Sequence, residues 1–284
     1  MNSLELLKKN KPKVWWSAIL VVITYLFVQG ISWDYFVKIF VKDNTIGNLL
    51  SFIIGLLFIL LWVKYVEKNK FLTLGFQKKD IIKNYILGLT FAAVVSVTII
   101  VIILFFDGFG FKLSNNRNYT MIIILIILFL IQGLTEEVVF RGYLMNRIAS
   151  AKGKWWGVIV NSIFFTVFHA ANTGMTYIAS LNIFIASFML SLLFWYTDNI
   201  WLVGAFHGAW NFIVGVIFGI NISGIRLSYT LLDAELNSNK NLYNGSVFGI
   251  EGSVIMTVMY VILCIIIYMG LYVQMFKRIA KKNK

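Results

Sequence analysis

The chain has 284 residues, of which 60% are hydrophobic and 13% charged, with a mean hydropathy of +0.82 and a formal net charge of +13. Soluble domains run at about 45–50% apolar and about 25% charged, and a soluble fold of this chain would expose more apolar surface than such proteins tolerate. A soluble enzyme and a disordered protein are therefore excluded, and an integral membrane protein is expected. The apolar runs are continuous rather than alternating, which points to helices and away from a β-barrel. The single cysteine, Cys264, excludes disulfides and cysteine-rich metal sites.

A span needs roughly 20 apolar residues. In chain order the charge-free windows are Val14–Trp33, Asn44–Val63, Asn84–Phe106, Asn118–Thr135, Trp155–Thr197, Asn199–Ile225 and Gly252–Phe276. The fifth is 43 residues long and contains Ala170-Ala-Asn-Thr-Gly-Met-Thr176, a turn sequence, so it counts as two. The expected fold is an all-α polytopic membrane bundle of about eight helices. Pro12 precedes every window, so no span carries a proline kink. Lys8, Lys9, Lys11 and Lys13 precede the first window as they would in a signal peptide. The long apolar core and the lack of an A-x-A-like site favour an uncleaved span.

Three regions are expected: N-terminal spans over 1–70, a core over 71–220, and an external loop with the last span over 221–284. Asn221–Glu251 reads as a loop outside the membrane. Phe71–Lys83 mixes basic and apolar residues and reads as a segment lying along the interface. The basic residues fall between apolar runs rather than on one soluble face, which speaks against nucleic acid. With eight spans, 19 of them share the side of both termini and 6 lie opposite (Lys38, Lys42, Lys112, Arg117, Arg226, Lys240). The positive-inside rule then makes the termini cytoplasmic.

With the loops set aside, Glu136, Glu137, Arg141, His169, His207 and Asn211 remain at membrane depth. Ionisable groups there are costly and mark functional sites. Both histidines of the chain are among them. Glu137 and Arg141 are spaced i,i+4 for an ion pair, and His207 and Asn211 share a helix face. Asn161, on the face of Phe165 and His169, reads as packing. Trp155, Trp156, Trp195 and Trp201 read as interfacial anchors. With a turn near Ser150–Lys154, Glu136 and His169 each stand about 24–26 Å from it, at nearly equal height. His207 and Asn211 lie roughly 13–20 Å beyond the Thr197–Asn199 turn. Three helices can therefore bring these groups to one level.

The same residues form motifs. Glu136-Glu137-Val-Val-Phe-Arg141 reads EExxxR, Phe165-Thr-Val-Phe-His169 reads FxxxH, and His207-Gly-Ala-Trp-Asn211 reads HxxxN. In this order the chain resembles the CPBP family, the CAAX proteases and bacteriocin-processing enzymes also called Abi, from about Phe71 to Phe218. The resemblance implies an intramembrane endopeptidase related to the CAAX prenyl protease 2 type. By motif, Glu136 would activate water with His169 assisting, His207 and Asn211 would hold the oxyanion, and Glu137 and Arg141 would brace the site. Family members also include bacteriocin self-immunity proteins and membrane partners without demonstrated activity. The richness in Lys, Asn and Ile suggests an AT-rich bacterial genome.

Amide hydrolysis needs a nucleophile, proton transfer and oxyanion stabilisation. No serine, cysteine or threonine forms a nucleophile motif with these histidines, which leaves activated water. Histidine and asparagine N–H groups suit an oxyanion. Zinc held by Glu136, His169 and His207 is the open alternative, since two histidines and a carboxylate make a catalytic zinc pattern, although HExxH is absent. The metal-free route is preferred. The expected partners are the lipid bilayer and a peptide or membrane-protein substrate, with the site in a water-filled cavity in the cytoplasmic half of the bilayer. A non-catalytic immunity or regulatory protein is the alternative function. A proton-coupled transporter is disfavoured, because no inverted repeat is visible. A topology reporter fused at Lys284 is expected to report a cytoplasmic terminus, and an extracytoplasmic signal would refute the span count.

Overall fold

A computed structural model of the chain describes residues 2–9 and 16–282. Pro12, Lys11, Lys13 and the start of the Val14–Trp33 window lie outside the described residues. A short helix, α1 (Ser3–Lys9), precedes the helices α2 (Ser17–Phe40), α3 (Asn44–Val66), α4 (Ile81–Phe105), α5 (Tyr119–Lys152), α6 (Lys154–His169), α7 (Tyr177–Thr197), α8 (Ile200–Ile217) and α9 (Val254–Lys282). Seven of these, among the described residues, are long and apolar enough to cross a membrane. The all-α polytopic bundle is thus as expected, with the remaining expected helix, α6, shorter than the other seven. Helix α6 has 16 residues, about 24 Å at 1.5 Å per residue, short of a hydrocarbon core of about 30 Å.

The helix boundaries follow local chemistry. Asp43, Asn118, Thr176 and Asn199 cap α3, α5, α7 and α8, each side-chain oxygen accepting from a backbone N–H of the first turn. The turn expected at Ser150–Lys154 is Gly153 alone, at φ +104°, a conformation a side chain would strain. The turns expected at Ala170–Thr176 and Thr197–Asn199 also separate helices as read.

Helix α5 departs most from expectation. The charge-free window ends at Thr135, yet the helix continues through Glu136, Glu137, Arg141 and Arg147 to Lys152. It can do so because the buried charges are paired inside the protein. Arg147 forms an ion pair with Glu67 and its guanidinium lies 3.7 Å from the centre of the Tyr143 ring. Tyr143 donates to Glu67 at 2.6 Å. Burial pushes the Glu67 carboxyl up, but its bonds to Arg147, Tyr143 and Asn69 and the Arg147 charge outweigh that and hold it below its ordinary value. Arg141 and Arg147 are therefore structural charges rather than loop charges. Setting these two aside from the 19 leaves 17 against 6, so the asymmetry stands.

Both ends of the chain meet the same end of the bundle. Ser3 donates its backbone N–H (3.0 Å) and its hydroxyl to Asp198, in the turn between α7 and α8. Burial pushes the Asp198 carboxyl above its ordinary value, against the hydrogen bonds from Ser3 and Gln77 that lower it. On α9, Tyr268 lies 6.2 Å from Trp155 at the start of α6. Phe71–Lys83, expected along the interface, is instead partly built into this end. Leu74 is fully buried, its carbonyl closing on Gly142, and Ile200 N–H bonds to Gly75 O. At the opposite end the expected loop Asn221–Glu251 is folded: its strand β2 (Leu232–Leu236) pairs antiparallel with β1 (Phe109–Leu113), Phe109 opposite Leu236.

Helix α8 is the most buried of the spans, at 72% against 22% for the apolar part of α9. It reaches the centre because glycines let it touch α5 backbone to backbone. A Cβ on Gly133 would stand 2.2 Å from Gly208 N, and one on Gly208 would stand 2.6 Å from Phe129 O. Gly133→Val should therefore force these helices apart and cost at least about 1–3 kcal/mol. Gly110→Ala, whose added carbon meets nothing within 4 Å, should leave thermal unfolding in detergent unchanged. Equal midpoints for the two variants would refute the close crossing.

Candidate active site

The central crossing places the motif residues. Glu136 and Glu137 lie on α5 just before a π-helical stretch, Val138–Met145, and His207 and Asn211 lie on α8 just before another, Phe212–Ile217. Wide π turns inside α-helices often accompany functional sites. Here they follow directly on the two motifs that face each other across the Gly133–Gly208 contact.

Glu137 is fully buried, and its Oε1 accepts from Arg141 Nη1 and from His207 Nδ1, each at 2.8 Å. Arg141, also fully buried, reaches α7 through the hydroxyl (3.0 Å) and carbonyl (3.3 Å) of Ser187. Its guanidinium lies 4.6 Å from the centre of the Phe165 ring on α6. The expected Glu137–Arg141 pair is therefore present, and it joins four helices.

Glu136 keeps contact with the cavity. Its Oε1 accepts from Gln132 Nε2 at 2.6 Å, and its Oε2 lies 3.8 Å from His207 Nε2, too far for a direct hydrogen bond. Asn211 Nδ2 donates to Gln132 Oε1 at 2.9 Å, which leaves its second N–H for another acceptor. His169 ends α6, with Nδ1 held by Phe165 O at 2.8 Å and its ring tilted 31° to that of Phe165, the centroids 4.6 Å apart. Glu136, His169, His207, Asn211 and Gln132 all line one cavity of about 760 Å³. All four residues expected to act in chemistry thus meet at this cavity, while Glu137 and Arg141 stand behind it. Asn161 bonds Ser191 at 2.9 Å and is packing, as read.

Two residues escaped the reading of the sequence. Gln132, one helical turn before Glu136, connects it to Asn211. It is uncharged and sits within an apolar window, so only its i−4 spacing from Glu136 could have marked it. Glu251, read as loop, lines the cavity and is buried. It accepts from Trp210 Nε1 (3.0 Å) and from the backbone N–H (2.8 Å) and hydroxyl (2.6 Å) of Ser223. An acid immediately before an apolar span was the available signal.

The cavity opens at one end of the bundle. Its exposed lining residues, including Lys38, Asn44, Arg226 and Ser228, belong to the loop end of the bundle. That end lies opposite the one at which Ser3 meets Asp198 and Tyr268 meets Trp155.

The histidine Nδ1 atoms bonded to a carboxylate and a carbonyl resemble the outer-sphere support of metal-bound imidazoles. However, among the described residues no three His, Cys, Asp or Glu side chains gather as a metal-binding group.

The bundle and its cavity define a polytopic helical membrane protein. Residues 118–213 match the family model of type II CAAX prenyl endopeptidase Rce1-like proteins. This stretch holds all three motifs, so the family model and the resemblance read from the sequence fall on the same residues. No curated protein matches the chain.

The buried pair yields a stability test. Arg141→Met leaves Glu137 without its cation and should cost about 3–5 kcal/mol. Adding Glu137→Leu should recover most of that in detergent unfolding. A double variant no more stable than the single would refute the charge argument.

Proposed function

We propose that the protein is an intramembrane endopeptidase that hydrolyses a peptide bond in a peptide or membrane-associated protein, in peptide maturation or bacteriocin self-immunity. The observation that carries this reading is the meeting of Glu136, His169, His207 and Asn211 at one cavity, with Glu136 Oε2 and His207 Nε2 3.8 Å apart.

Gln132 occupies Oε1 of Glu136, so Oε2 is the oxygen left to take a proton from water. His169, anchored through Nδ1 to Phe165 O, turns Nε2 to the same water and assists. Attack on the carbonyl carbon forms a tetrahedral oxyanion, which Asn211 and His207 hold. With Nδ1–H of His207 given to Glu137, Nε2 donates to that oxygen from the doubly protonated ring. The proton on Glu136 then passes to the leaving amine, and the C–N bond breaks. Glu137 and Arg141 fix the ring of His207 and do not touch the substrate.

Glu136→Gln, His169→Ala and His207→Ala should each abolish cleavage without loss of membrane insertion. Asn211→Ala should slow it by about 10²–10³-fold, the usual cost of one oxyanion donor. Membrane and secreted peptides of wild type are compared with those of a Glu136→Gln strain to find the substrate. Full activity in any of the first three variants would overturn the assignment. So would a cellular phenotype indifferent to Glu136→Gln, which would favour a non-catalytic partner. One tightly held zinc required for cleavage, detected by metal analysis and chelation of the purified protein, would replace the metal-free route.

A further inference from the structure

We propose that the cavity receives its peptide from the end of the bundle opposite the chain termini, so that the segment cleaved is one presented outside the cytoplasm. This rests on the endopeptidase reading for the word "cleaved"; the direction of access rests on three independent features.

The first is that the site is closed towards the termini. Directly behind Glu136 and Glu137, Val138, Val139, Phe140, Arg141, Tyr143 and Leu144 are all buried. Beyond them the Arg147–Glu67 pair fills the space, and Leu74 closes on Gly142. A peptide coming from that end would have to separate a buried ion pair and a packed core.

The second is that the cavity is open the other way. Past the motif residues it is walled by Leu49, Phe52, Phe129 and Ile183, and it ends among exposed polar side chains on α2, α3 and the chain after α8. The wall formed by that chain is held in place, since Glu251 ties Ser223 to Trp210, the residue before Asn211. The apolar middle and polar rim suit an extended segment that places a large apolar side chain beside the scissile bond. The volume of about 760 Å³ falls in the usual range of small-ligand sites, about 300–1,000 Å³.

The third is charge. The end with α1 and the close of α9 carries the excess of Lys and Arg, which by the positive-inside rule faces the cytoplasm. The polar rim then faces away from it.

Single cysteines test this in a Cys264→Ala background. Ser228→Cys reports the rim, Ala186→Cys the cavity, and Ala151→Cys the opposite end of the bundle. Each is treated with a membrane-impermeant maleimide in intact cells and scored against the same protein labelled after solubilisation. Ser228→Cys and Ala186→Cys should label fully in intact cells, and Ala151→Cys only after permeabilisation. If Ala186→Cys fails to accumulate, Asn48→Cys, on the cavity wall in α3, replaces it. The proposal is overturned if Ser228→Cys is protected in intact cells, or if the cavity cysteine reacts only once Ala151→Cys does or not at all. Labelling does not depend on cleavage. An inactive protein with the expected pattern would refute the endopeptidase reading and leave the route intact, whereas an active protein with the reverse pattern would refute only the route.

Discussion

The arrangement of this protein depends on one buried carboxylate oxygen. Glu137 Oε1 accepts from both Arg141 and His207 at 2.8 Å, and neither partner could be lost without leaving charge in an apolar interior. A buried ion pair is weak evidence of stability, because desolvation offsets much of its Coulomb attraction. What it supplies here is position. Through Arg141 the same carboxylate reaches Ser187 on α7 and the Phe165 ring on α6, and through His207 it reaches α8. Four successive helices are thereby set at one depth.

That hub also separates two adjacent acids that composition alone makes equivalent. Glu137 is turned inward and fully bonded on one oxygen, while Glu136 is turned to the cavity with one oxygen held by Gln132 and one facing His207. Their difference arises from successive positions on a helix, about 100° apart, and from what packs against each. The two acids can therefore be neighbours in sequence and still approach His207 through different ring nitrogens. The glycine contact between α5 and α8 is what brings His207 within reach of both.

The motif residues and the turns were legible because each leaves a local mark: charge inside an apolar run, i,i+4 spacing, or Gly, Asp and Asn between runs. Gly153, Asp198 and Asn199 stand where the sequence places turns, and Glu136, His169 and His207 share a cavity as the helix arithmetic requires. What was not legible depends on partners far away in sequence. Gln132 matters only because Glu136 and Asn211 flank it in space. The strand Phe109–Leu113 exists only against Leu232–Leu236, and Leu74 is buried only because Gly142 admits it. The charge-free window stopped α5 at Thr135, since a window cannot know that Glu67 waits for Arg147. It also promoted Lys154–His169 to a full span, since apolar character does not report that the helix ends at the site.

That short helix has a consequence for solvent. A helix of about 24 Å that starts at the basic end and stops at His169 leaves the remaining depth above it unfilled by its own backbone. The turn that follows is bonded to the outer loop, Asn172 donating to Ser223 O at 3.0 Å, and Ser223 in turn rests on Glu251. The cavity therefore lies where α6 gives out, roofed by loops rather than by a continuing helix. Unpaired backbone cannot face lipid, and non-helical chain at such depth is tolerated only when it is buried in protein or lines a wet cavity. The end of α6 therefore supplies both a histidine and the open room around its imidazole.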